Sequence, residues 1–86
     1  MREKKRIERL LSRPKDYTFT EAKSLLSSLG FDQYNKGKTS GSRVRFYRKS
    51  DKRVIDLHKP HPGDIMKTYM VDELIRFLKE SGDIDE

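Results

Sequence analysis

The chain's two histidines, His58 and His61, lie three residues apart in the run His58-Lys59-Pro60-His61-Pro62-Gly63-Asp64. Shortly before it comes Gly41-Ser42-Arg43-Val44-Arg45-Phe46-Tyr47-Arg48, a strand-like segment rich in arginine. Imidazole has an unperturbed pKa near neutrality, so it can both accept and donate a proton at physiological pH. The guanidinium fork matches phosphate oxygens better than the point charge of lysine does. A proton-transfer group beside a cationic phosphate cradle points to RNA, and to its cleavage as the chemistry.

Within this stretch Arg43, Arg45, Arg48 and Lys59 are the expected phosphate contacts, with Lys36 and Lys38 as extensions of the patch. Gly41 and Ser42 can bring backbone N–H groups close to a phosphate. His58 is the preferred acid or base, because it falls at a strand end on the basic face. His61 is its partner or a loop-fixing group, and Asp56 can orient or tune His58. The competing reading makes both histidines loop-packing or phosphate-contacting groups, and the basic strand a solvated surface protected by its charge from edge pairing. A His-x-x-His metal site is disfavoured: two ligands do not make a site, and Pro60 separates them. Tyr47 shares the basic face, where it can stack on a base or cover arginine stems; Tyr34 and Tyr69 read as core-edge residues.

The elements that must position these groups follow from periodicity. Glu3 to Leu11 reads as a short helix with Ile7, Leu10 and Leu11 on one face, stopped by Pro14, and either docked or a mobile basic arm. Ala22, Leu25, Leu26 and Leu29 mark a second helix, capped by Thr18 (with Glu21 completing a capping box) or by Thr20, and closed by Gly30 with Phe31 folding back. Strands are expected at 31–35, 43–48 and 53–57, the last two joined by a turn over 49–52. Val44 and Phe46 face inward with Ile55 and Leu57, which leaves Arg43, Arg45 and Tyr47 beside Val54, Asp56 and His58 on the opposite face. A final helix begins near Thr68 or Tyr69, carries the stripe Val71, Leu74, Ile75 and Leu78, and ends at Gly82. The expected fold is α+β: a three-stranded antiparallel sheet with helices packed on one face, plus an N-terminal helix. The expected division is a basic helix or arm over 1–15, a domain over 16–82 and a frayed acidic tail over 83–86.

Composition bounds the function. Eighty-six residues make one domain with a modest core. The net charge is +6, and residues 36–67 alone carry ten Lys/Arg against three Asp. Such a face attracts polyanions and speeds association with them. There is no cysteine, which removes disulfides, thiolate metal sites and cysteine nucleophiles. No apolar run suits a membrane span or signal-peptide core, so a cytoplasmic protein with no membrane partner is expected. The acids Asp51, Asp56 and Asp64 are too scattered for paired-carboxylate or two-metal chemistry, and no nucleotide-binding phosphate loop is present. No cofactor is expected.

Leu-Gly-Phe at 29–31, Gly-Ser-Arg-Val-Arg-Phe at 41–46, His-Lys-Pro-His-Pro at 58–62 and the closing amphipathic helix together resemble the HicA toxins, over about Thr18 to Gly82. The resemblance implies a fold like the double-stranded-RNA-binding domain, metal-independent cleavage of mRNA, and neutralisation by a HicB-like antitoxin. It also implies a departure. Many members carry their catalytic histidine directly after Gly-Ser, where this chain has Arg43. The work of activating the ribose 2′-hydroxyl and protonating the leaving 5′-oxygen then falls to His58 and His61. The alternatives are a non-catalytic RNA-binding module of the same fold, or a protein-interaction domain whose basic face meets an acidic partner.

Overall fold

The structure is a computed structural model, which describes residues 2–34, 43–60 and 63–84. The element order is α1 (Arg2–Leu11), α2 (Phe19–Ser28), β1 (Asp32–Tyr34), β2 (Arg43–Arg48), β3 (Arg53–His58) and α3 (Thr68–Glu80). The strands pair in sequence order, β1-β2-β3, and both pairings are antiparallel. This is the expected α+β architecture. Its α2-β1-β2-β3-α3 succession is consistent with the double-stranded-RNA-binding-domain likeness.

Period two sorts the hairpin residues between two environments. Val44, Phe46, Ile55 and Leu57 are buried, and they pack with Phe19, Ala22, Leu25 and Leu26 of α2 and Val71, Leu74 and Leu78 of α3 in a single core. Phe19 and Phe46 meet with ring centroids 6.3 Å apart, tilted by 53°, which favours edge-to-face contact. The helices therefore cover one face of the sheet, and the other face is open.

The ends of α2 are fixed locally. Thr18, not Thr20, is the N-cap: its hydroxyl accepts from the Glu21 N–H at 3.1 Å, and Glu21 accepts from the Thr18 N–H at 3.1 Å. This reciprocal box satisfies two N–H groups that the helix leaves unpaired. At the other end Phe31 N–H bonds to Leu26 O and Gly30 N–H to Ser27 O. Gly30 sits at φ 94°, the left-handed region this C-terminal motif needs. Phe31 is thereby folded into the core, and β1 starts one residue later.

Of the two alternatives for the N-terminal helix the structure has the first, and at the C-terminus one expectation changes. Helix α1 is docked: Leu10 is fully buried, Arg9 pairs with Glu21 of the capping box, and Arg13 reaches Asp72 of α3 at 2.7 Å. Leu11, expected on the buried face, is 41% exposed, and Leu10 is what α1 adds to the core, with Ile7 packed against it. The acidic tail does not simply fray after Gly82. Asp83 N–H and Ile84 N–H both bond to Leu78 O, Ile84 is buried, and Asp83 pairs with Arg48 at 2.8 Å. The core therefore extends past the expected boundary at 82.

Candidate functional site

The open face of the sheet is built in cross-strand rows. The register sets Arg43 opposite His58, Arg45 opposite Asp56 and Tyr47 opposite Val54, with Tyr34 of β1 opposite Arg45 on its other side. Side chains directly opposite in an antiparallel pair stand about 5 Å apart at Cβ. Arg43 and His58 are thus immediate neighbours, both exposed, at one end of the hairpin. The row Tyr34–Arg45–Asp56 comes next, and Tyr47–Val54 lies nearest the turn.

The three arginines of β2 have different fates. Arg45 is held by Asp56 through Nε at 2.8 Å and a second guanidinium nitrogen at 3.2 Å. That bidentate pair, with the charge of Arg43 added, holds the Asp56 carboxyl below the usual carboxylate range and keeps it ionised. Asp56 therefore serves Arg45, and no hydrogen bond joins it to His58 among the described residues. Arg43 has no ion pair among the described residues. It is the strand's available cation.

Arg48 is not on this face. It shares the parity of Val44 and Phe46, and its side chain is only 11% exposed. It lies over the Phe31 ring at 4.5 Å, donates to Leu29 O at 3.1 Å, and pairs with Asp51 and Asp83, each at 2.8 Å. The expected phosphate contact is here a bracket that joins the end of α2, the hairpin turn and the C-terminal segment. The period-two signal that placed Val44 and Phe46 inward applied to Arg48 as well. Tyr34 moves the opposite way. Expected at the core edge, it is 45% exposed on the open face.

His58 ends β3 and is exposed, as is Lys59; Pro60 is buried. Past the loop the chain is anchored again: Phe19 N–H bonds to Asp64 O at 2.7 Å, Met66 N–H to Tyr17 O at 2.8 Å, and Thr20 donates its hydroxyl to the Asp64 carboxylate at 2.7 Å. Residues 64–66 are thus tied to the start of α2. His61 itself lies outside the described residues, as do Lys36, Lys38, Gly41 and Ser42. Of the expected site residues, Arg43, Arg45, His58 and Lys59 are exposed on the open face or at its edge, and Arg48 stands apart. Among the described residues no group of three His, Cys, Asp or Glu side chains could hold a metal ion, and no helix is long and apolar enough to cross a membrane.

Comparison with known proteins adds one finding. A search of curated proteins and a search of solved structures returned no match. The family model described as "HicA toxin of bacterial toxin-antitoxin" matches residues 19–82, from the first residue of α2 to the glycine that closes α3. That span is most of the chain and includes the sheet with its open basic face, so the chain belongs to the HicA toxin family.

Proposed function

We propose that this HicA-family toxin is a metal-independent endoribonuclease that cleaves mRNA in the cytoplasm and is inhibited by a HicB-like antitoxin. The observation that carries the reading is the cross-strand pair Arg43–His58. The family's usual histidine position, directly after Gly-Ser, is Arg43 in this chain. The imidazole stands one strand over from it, on the same face. The two residue types a phosphoryl transfer needs are therefore adjacent on one face.

In this reading His58 acts as acid or base and His61 as its complement. The base takes the ribose 2′-hydroxyl proton, and the 2′-oxygen attacks phosphorus. The bond to the 5′-oxygen breaks, and the acid protonates that leaving oxygen, which gives a 2′,3′-cyclic phosphate and a 5′-hydroxyl end. Arg43 and Lys59 face the negative charge that accumulates on the phosphorane oxygens. Arg45 contributes less positive field than its type suggests, because Asp56 neutralises it. The antitoxin would cover this face with acidic groups directed at Arg43 and Lys59.

The test is RNA cleavage by the purified chain in EDTA, with His58→Ala beside it. General acid–base groups contribute about 10²- to 10⁴-fold, so a rate loss in that range is expected, with an unchanged circular dichroism spectrum. Undiminished cleavage by the variant would remove His58 from the chemistry and move the role to His61 or elsewhere. Salt-dependent RNA binding without any shortening of RNA by the wild type would favour the non-catalytic module.

A further inference from the structure

The open face carries a feature that cleavage chemistry alone does not require. Tyr34, Arg45, Tyr47 and Val54 line a depression of about 310 Å³, one row removed from Arg43 and His58. Tyr34 and Val54 are 45% and 47% exposed. Large apolar side chains clustered on an open face have a cost in water and often mark a binding surface. The register explains the clustering. Tyr47 faces Val54 across the strand pair and lies diagonal to Tyr34, about 7 Å away and within reach of an aromatic ring.

We propose that Tyr34, Tyr47 and Val54 form a stacking subsite for an unpaired nucleobase, so that the substrate of this face is single-stranded RNA. The proposal rests on the ribonuclease reading for the identity of the polyanion, and its own content is the base and its unpaired state. Three observations favour a base over an apolar protein segment. The depression is shallow and aromatic, which suits a flat ring. Its fourth lining group is the guanidinium of Arg45, fixed in orientation by two bonds to Asp56 and suited to a π-face. The exposed cation Arg43 stands one row away on the same face, which suits a phosphate backbone leading away from the stacked base. Bases in a duplex are stacked on each other and hide their faces, so double-stranded RNA cannot fill this subsite.

Stacking and phosphate contacts leave different signatures. Removal of a stacking ring costs affinity without altering the salt dependence, whereas removal of a phosphate contact lowers the salt slope. The experiment measures binding of the full chain to a 2′-O-methyl single-stranded oligonucleotide, which cannot be cleaved, by fluorescence anisotropy across a salt series. Tyr34→Ala and Tyr47→Ala should each weaken binding by about 5- to 100-fold with an unchanged salt slope, and Tyr→Phe at either position should retain affinity. An oligonucleotide of abasic residues, or a duplex of the same sequence, should bind wild type and both alanine variants alike. Wild-type affinity of both alanine variants for the single strand overturns the subsite, as does an equal loss for single strand and duplex. Unchanged RNA binding with weakened capture of a co-expressed antitoxin assigns the patch to the protein partner and also overturns it. Tyrosine-dependent binding by a chain that never cuts RNA sinks the ribonuclease reading and leaves the subsite standing; cleavage with tyrosine-independent binding does the reverse.

Discussion

The two faces of the β2–β3 hairpin share a backbone and differ in everything else. On the inner face Val44, Phe46, Ile55 and Leu57 are buried against α2 and α3. On the outer face Arg43, Arg45, Tyr47, Val54, Asp56 and His58 alternate with them, and the register brings a histidine, an ion pair and an aromatic cluster into three adjoining rows. Assignment to fold or function follows from parity of position rather than residue type. Arg48 makes the point: as basic as Arg43 and five residues away, it carries the parity of Phe46 and works for the fold. A charge count over the strand therefore overstates the polyanion-binding face by one arginine, and Asp56 cancels a second.

The sharpest way to break this division is to truncate two chain neighbours. Phe46→Ala removes a buried ring that contacts Phe19, and should cost about 3–5 kcal/mol of unfolding free energy. A domain of this size has little more than that to lose, so the variant should be largely unfolded at 37 °C. Tyr47→Ala, on the half-buried outer side, should cost about 1 kcal/mol or less while it weakens RNA binding. Urea denaturation of both variants checks this. A larger loss for Tyr47→Ala than for Phe46→Ala would mean that the parity assignment is wrong by one residue.

A second pair separates the arginines. Arg48→Ala removes the bracket to Asp83 and Asp51 and leaves a partly buried Asp83 without its cation; about 2 kcal/mol is expected, between the values for exposed and buried pairs. Its intrinsic RNA affinity, measured well below the melting temperature, should match wild type. Arg43→Ala should do the opposite: stability within about 0.5 kcal/mol of wild type, and a salt slope of RNA binding reduced by about one. Loss of RNA affinity by folded Arg48→Ala would return that residue to the binding face.

Most of the fold was legible because its signals are local. The capping box at Thr18 and Glu21, the Gly30-Phe31 closure and the alternation Val44-Phe46 against Ile55-Leu57 each involve residues within a turn or a strand of one another. The errors were about tertiary partners. Nothing near Asp83 in sequence announces that Arg48 waits for it, 35 residues away. Ile84 follows a helix-ending glycine and three acids surround it, so it reads as a tail, yet the C-terminal motif that Gly82 allows turns it back onto Leu78. Tyr34 was misplaced because β1 is only three residues long and shows no alternation; its face is decided by its register with Arg45. At the site, the Arg43–His58 adjacency was readable in outline from period two. The commitment of Asp56 to Arg45 rather than to His58 was not, since both partners lie on the same face and only side-chain geometry chooses between them.

The smallest expected effect probes that choice through acid titration. Asp56 on the outer face and Glu21 at the α1–α2 junction are both held below their ordinary carboxylate values by an arginine, Arg45 and Arg9 respectively. A carboxyl whose folded-state pKa is depressed binds fewer protons folded than unfolded. Its stabilising contribution is complete above the ordinary carboxylate range and is lost as pH falls through that range toward the depressed folded value. Unfolding free energy should therefore decline with acidification below about pH 5. Arg9→Ala should flatten the decline more than Arg45→Ala, because the Arg9 pair also secures the capping box and the docking of α1. Carbon-detected NMR titration resolves the outer face independently of stability. The Asp56 carboxyl should titrate below the usual range in wild type and return to it in Arg45→Ala. If it stays low in that variant, some group other than Arg45 holds it. Arg43, whose charge also acts on Asp56, would be the next candidate, and the description of Arg43 as the strand's available cation would have to be abandoned.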